Sequence, residues 1–344
     1  MSALRIATQW PDAKVALVSD RWGEDTTSYH SGGFWEPYTL ADTPDDLVNR
    51  WAGDAYKHLE HLAYAEDAAR TGVFAIGVRQ LWSAPGRDTP PPTWCNIPPD
   101  FRVLSADEAR RLRPERGPSP PGTRAPPIAG AYTFSSYVAD MSRLMPFLER
   151  TCEAAGVSLH RGVAVRDCDD MQRVALECVG EGGRGDDVVV VNCAGIRGGS
   201  LAGNGGDRTV YPVRGQVVRV QAPQVKHVWF HDEETYIIPQ VDSVVLGGSR
   251  QVGDWEEGNR EEDVRAIREK CEALLPVLRG APEVRAWAGL RPARPSVRVE
   301  REVIETDRGA LRVVHNYGHG GAGVTLAWGC AGDVMRHISA LLAP

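Results

Sequence analysis

The run Gly318-His319-Gly320-Gly321-Ala322-Gly323 has the G-x-G-x-x-G spacing of a dinucleotide-binding turn. Such glycines let backbone N–H groups at a helix N-terminus meet an anion or a flat ring at close range. A strand pattern near Leu311–Asn316 precedes the run and a helix pattern from about Thr325 follows it, so the local context is right. A full fingerprint also needs a returning parallel strand and an acid about 20 residues further on. Too few residues follow Gly323 for that strand, and Asp333 falls inside the closing helix. The run is therefore expected to be a close-approach loop, with a plain glycine turn before a helix as the open alternative. His315 and His319 are spaced like a base or metal pair, but they flank this loop rather than line a helix. Structural hydrogen bonding is expected for both, and no metal ligand set is visible.

The second candidate lies at the other end of the chain. Lys14–Ser19, KVALVS, reads as a buried parallel strand closed by Asp20-Arg21. Asp20 stands where the second strand of a Rossmann unit presents the acid that bonds a ribose. Its glycine turn would lie about 20 to 25 residues earlier, ahead of Met1. Ser2–Gln9 then reads as the helix after that turn. The expectation is a dinucleotide-binding unit entered part-way, lacking its first strand and glycine turn, whose pyrophosphate loses its helix N-terminus.

The intervening elements must bring these two ends together. A helix is predicted from Thr43 as N-cap, with Pro44 at its first position and Leu47, Val48, Trp51, Ala55, Leu59 and Leu62 on one face. Two proline-rich stretches, Thr89–Pro99 and Pro114–Pro127, read as loops over a second lobe. Further helices are predicted at Met141–Ala155, ended by Gly156, and at Glu261–Leu278. Val188–Ala194 is the plainest buried strand, and Tyr211–Gly253 reads as short antiparallel strands. Parallel α/β segments at both ends with a β-rich middle give an α/β fold. It comprises a discontinuous Rossmann-like nucleotide-binding domain (1–80, 130–208 and 290–344) and an α+β substrate or interface domain (81–129 and 209–289) with a large, mostly antiparallel sheet.

Composition narrows the function classes. At 344 residues, 42% hydrophobic and 25% charged, the chain has ordinary globular usage. A net charge of −7 argues against nucleic acid, which needs clustered Lys and Arg. No apolar run is long enough to span a membrane, and the N-terminus lacks a secretory pattern. The seven cysteines form no C-x-x-C pair and read as free thiols of a reducing compartment. The C-terminal LLAP is not an S-K-L-type peroxisomal address.

His315–Gly329, reading HNYGHGGAGVTLAWG, resembles the C-terminal signature of the D-amino-acid oxidase and D-aspartate oxidase family. The resemblance runs along nearly the whole chain. It takes in SDRW, GGFWEPY, VNCAG, VRGQ, TYIIP, GGSRQVGDW and GLRPARP, in that order. It implies an FAD flavoenzyme that oxidises D-amino acids to imino acids. These hydrolyse to 2-oxo acids and ammonia, while O2 becomes hydrogen peroxide. Its partners would be a small D-amino acid and O2, with no nucleic acid and no membrane; a homo-oligomer stays open. The family is commonly peroxisomal, so a peroxisomal or cytoplasmic location is expected.

The resemblance also implies a set of roles. Asp20 and Arg21 go to the adenosine end of FAD, and Thr26, Thr27, Ser28, Gly32, Gly33 and Phe34 to the pyrophosphate and ring. Val163 and Ala194 are further cofactor contacts. Gly320, Gly321, Ala322, Gly323, Val324 and Thr325 form the loop against the flavin. Arg291 would hold the substrate carboxylate in its planar fork, Tyr236 would share it, and the Gly321 carbonyl would accept from the amine. Hydride transfer needs orientation more than a base. Arg250 falls where the acidic-substrate branch carries an arginine, and His231 lies near a second such position, beside the acids Asp232, Glu233 and Glu234. A preference for D-aspartate or D-glutamate is expected. Neutral D-amino acids, a related amine or glycine oxidase, and a silent homologue with an incomplete FAD site remain alternatives.

Overall fold

The structure, a computed structural model, describes residues 1–38, 40–84, 91–112, 126–180, 188–203, 205–232 and 235–343. Most of Pro114–Pro127, the start of Thr89–Pro99, and both Glu233 and Glu234 lie outside these. In chain order the strands are β1 (Ala16–Ser19), β2 (Val73–Trp82), β3 (Arg102–Leu104), β4 (Gly130–Ala139), β5 (Ser158–Arg161), β6 (Val189–Asn192) and β7 (Tyr211–Val220). They continue with β8 (Val228–His231), β9 (Thr235–Pro239), β10 (Val244–Gly247), β11 (Gln251–Val252), β12 (Glu283–Ala293), β13 (Arg298–Thr306) and β14 (Gly309–Tyr317).

Nine strands make one mixed sheet in the order β11-β7-β10-β9-β8-β2-β4-β3, with β12 also paired to β7. Its pairings are antiparallel except β2 with β8, which run parallel. β2 and β4 belong to this sheet along their full ten-residue register, so the domain boundaries expected at 80/81 and 129/130 fall inside it. The helix Glu261–Leu274 covers β7, β9 and β10, burying Val264, Ile267, Cys271 and Leu274. It ends sooner than its apolar pattern suggests because Pro276 cannot extend it, and a short 3₁₀ turn carries Leu278 into the same core.

The nucleotide-binding half is built from two smaller sheets. β1 pairs with β5 in parallel, and β6 pairs in parallel with β14, which pairs antiparallel with β13. The helix Ser2–Gln9 lies over both, with Leu4 and Ala7 against Leu17 and Leu159, and Ile6 against Val189 and Val191. Among the described residues no strand joins the two sheets.

The helix Asp45–Tyr64 runs beside the closing helix Gly323–Leu342, burying Val48, Trp51, Ala55, Leu59 and Leu62. It starts later than expected. Pro44 is its N-cap, and the Thr43 hydroxyl is used elsewhere, donating to the Leu40 carbonyl and accepting from Val297 N–H. The two helices touch at Gly329, where a Cβ would stand 2.3 Å from the Trp51 backbone. Backbone cannot move aside as a flexible side chain can. Gly329→Ala should therefore destabilise by roughly 1–3 kcal/mol, read as a lower urea midpoint at unchanged slope. An unmoved midpoint would show that the helices separate freely.

Candidate active site

A cleft of about 1220 Å³ runs between the mixed sheet and the two smaller sheets. Both ends of the chain reach it. Met1 and Ser2, at the start of the first helix, line it together with Ser19, Asp20 and Arg21 beyond β1. N–H groups at a helix start favour an anion. Asp20 accepts from Arg197 at 3.0 Å, and Arg21 pairs with Glu257 at 3.0 Å, both at the exposed rim. Thr26, Thr27, Ser28, Gly32, Gly33, Phe34 and Ala194 line the same cleft.

The glycine loop closes the cleft from the other side. Gly318 and Gly320 take φ of +85° and +53°, and the 3₁₀ turn Gly320–Ala322 leads into the closing helix at Gly323. Gly320, Gly321, Gly323 and Val324 face the cleft. Ala322 is buried behind the loop, and the Thr325 hydroxyl accepts from Glu36 N–H at 3.2 Å while lying 3.0 Å from the Glu36 carbonyl. Val163 does not line the cleft; its N–H donates to the Ser19 carbonyl at 3.2 Å.

Arg291 and Tyr236 meet at this loop. A Cβ on Gly321 would lie 3.3 Å from the Tyr38 ring and 3.7 Å from Arg291 Cδ. The Arg291 guanidinium lies over Gly215 of β7, where a Cβ would fall 2.2 Å from Cζ. The Tyr236 ring likewise rests on Gly247 and Gly248, leaving room for nothing larger. One Arg291 donor bonds the Ser249 carbonyl at 3.0 Å, and among the described residues no carboxylate pairs with this guanidinium. Its remaining fork is available to a bound anion.

Arg250 lines a smaller adjoining cavity of about 190 Å³ that shares Tyr236, Arg291, Gly320 and Gly321 with the cleft. His231 is a correction. Strand alternation along β8 turns Phe230 to the cleft and His231 away, into a bond with Ser83 Oγ at 3.0 Å. Asp232, next in the chain, does line the cleft and bonds Ser83 through Oδ2 at 2.5 Å.

His315 is structural, with Nε2 2.9 Å from Glu302 and Nδ1 3.2 Å from Asn192. His319 departs from the expectation. It is buried on the cleft wall, its Nε2 has no partner among the described residues, and burial lowers its pKa to about 4. His58 Nε2 and Asn316 Oδ1 are also buried without partners, and both residues line the cleft. Buried polar atoms are rarely left so, and a large group carrying donors and acceptors would satisfy them here. No sequence signal marked His58, Tyr132 or Trp82, which also line the cleft, whereas Glu36 and Tyr38 sit inside the GGFWEPY segment. Among the described residues no cluster of three metal-ligating side chains occurs, and no helix is long and apolar enough to cross a membrane.

A large cleft with an anion-binding fork at one wall, set between the two smaller sheets and the large mixed sheet, has room for an extended cofactor. The chain belongs to the family of FAD-dependent oxidoreductases, whose family model matches residues 1–336. It is 32% identical over 341 residues to the D-aspartate oxidase of Homo sapiens, covering 98% of this chain and 91% of that protein. It is 35% identical over 335 residues to the D-amino-acid oxidase of Rubrobacter xylanophilus, covering 96% and 90%. The fold is shared with the glycine oxidase of Bacillus cereus, at a TM-score of 0.73 and 19% identity over 98% of this chain and 91% of that one.

Proposed function

We propose that this chain oxidises D-amino acids to 2-oxo acids, releasing ammonia and hydrogen peroxide, with a preference for D-aspartate and D-glutamate. The observation that carries the reading is the convergence of Arg291, Tyr236 and Gly321 where the cleft meets the cavity of Arg250. Ser2, Asp20, Thr26–Ser28, Gly33 and the glycine loop would hold FAD, which would supply the hydride acceptor and the route to O2. The remaining work is orientation by the protein. The Arg291 fork binds the α-carboxylate and the Tyr236 hydroxyl shares it. The Gly321 carbonyl accepts from the amine, which fixes the α-hydrogen relative to the ring. Arg250 pairs with a side-chain carboxylate through a charge-assisted bond.

Arg250→Ala should lower kcat/KM for D-aspartate relative to D-alanine by roughly tenfold to a hundredfold, the worth of such a bond. Steady-state peroxide assays on both substrates read the ratio, and an unchanged ratio sinks the acidic preference. A neutral-substrate oxidase is the second reading, favoured by the aromatic cleft wall of Trp82, Trp94, Tyr132 and Phe230. A purified protein that is colourless and takes up no added FAD would instead indicate a silent homologue.

A further inference from the structure

The role of Glu36 is not accounted for by the roles above. It follows Trp35, a fully buried core residue, and its backbone is clipped to Thr325 in the first turn of the closing helix. That clip fixes Glu36 beside the glycine loop that carries Gly321. Glu36 lines the cleft, whose wall also carries Trp82, Tyr132 and Phe230. Among the described residues its carboxyl has one hydrogen-bond partner, the Tyr132 hydroxyl at 3.4 Å, and no cation pairs with it. A carboxylate in such surroundings lacks the compensation a buried charge requires.

We propose that the Glu36 carboxyl is a charge gate on the substrate side chain: protonated, it admits an acidic side chain, and ionised, it repels one. The inference rests on the reading of the cleft as a D-amino-acid site and deepens it by setting when acidic substrates enter. Burial pushes the Glu36 carboxyl up to about 8, the Tyr132 hydrogen bond pulling weakly the other way. The group is therefore mostly neutral at pH 7 and ionises within the working range of an enzyme.

Other titratable groups line the cleft as well, among them His30, which burial lowers, and Cys193, which burial raises. Burial raises the Tyr132 phenol beyond the alkaline range, with Glu36 adding to the shift. Burial lowers both His58 and His319 to about 4, so both are neutral throughout. Asp232 is bonded by Ser83 N–H and Oγ, and Arg291 donates to the Ser249 carbonyl. Tyr38 and Tyr236 also line the cleft. The substrate ammonium titrates alike in D-aspartate and D-alanine and cancels in their ratio.

The test is the ratio of kcat/KM for D-aspartate over D-alanine, followed from about pH 6.5 to about pH 9.5. In the wild-type holoenzyme it should fall on the order of tenfold, as expected for two like charges in a partly desolvated cleft. In Glu36→Gln, which keeps the size and the hydrogen bond to Tyr132, it should stay level. A level ratio in the wild type, a falling one in the variant, or turnover of D-alanine alone overturns the gate. Infrared difference spectra of the same holoenzymes provide a readout apart from turnover. A protonated-carboxyl band should vanish as pH rises through about 8 and be absent from the variant. If neither substrate is oxidised, the functional reading fails and the gate with it. The infrared band then still decides whether Glu36 holds its proton.

Discussion

Arg291→Met is expected to lower kcat/KM for any D-amino acid on the order of a thousandfold, at the upper part of the 2–5 kcal/mol that removing one partner of a desolvated charge pair costs. Three observations set that size. The guanidinium is held from below by Gly215 and from the side by the Ser249 carbonyl, so its position is fixed before substrate arrives. No carboxylate of the described residues competes for it. The α-carboxylate it would bind is common to every substrate, and losing that hold would loosen the α-carbon against the ring. The loss should appear in KM through binding and in kcat through orientation. Arg291→Lys keeps the charge without the planar fork and should recover only part of the activity. Both variants should bind FAD as the wild type does, checked by the bound flavin spectrum. A loss below tenfold in Arg291→Met would remove this residue from the substrate site.

Much of the scaffold could be read from local pattern. Ser2–Gln9 and Met141–Ala154 are helices where their spacing and the Gly156 stop place them, and the strand before the glycine loop is present. β2 and β13 could not be read that way. β2 is packed on both faces around Gly77 and carries no clean alternation, while β13 is laced with charges: Arg298 meets Glu302 of the same strand and the Tyr317 hydroxyl of β14. Arg291, Tyr236 and Gly321 came from family motifs, and the structure supplies the physical reason for the glycines within those motifs. Gly215, Gly247 and Gly248 are seats for the two side chains. His231 shows the converse. Its place near a second arginine position of the acidic-substrate branch suggested a substrate contact, but a strand period of two, with Phe230 facing the cleft, sends it the other way. Glu36 lies inside the GGFWEPY segment, but its protonation is set by burial in the folded cleft, with Tyr132, distant in the chain, as its hydrogen-bond partner.

Arg214→Met should destabilise the fold by about 3–5 kcal/mol, the cost of breaking a buried ion pair from one side. The Arg214 side chain is fully buried, and all five of its donors are placed. Nε donates to the Glu256 carbonyl at 2.8 Å. Nη1 donates to Gln251 and to Asp263, each at 2.6 Å. Nη2 donates to Gln216 at 2.9 Å and to the Gly258 carbonyl at 2.6 Å. The guanidinium thereby ties β7 to the 251–258 segment and to the first turn of the helix Glu261–Leu274. Without it, the Asp263 carboxylate and two backbone carbonyls lose their buried donor. Arg214→Lys should fare little better, because one ammonium cannot reach acceptors spread around a planar fork. The consequence extends to the site. Gly215 seats Arg291, and β11 starts one residue after Arg250, so loosening β7 displaces the α-carboxylate fork and the side-chain cation together. Urea unfolding should show the loss of stability, and the ratio of D-aspartate to D-alanine turnover should drop with it. A variant less than about 1 kcal/mol below wild type would place Arg214 among exposed surface pairs, contrary to the five bonds it makes.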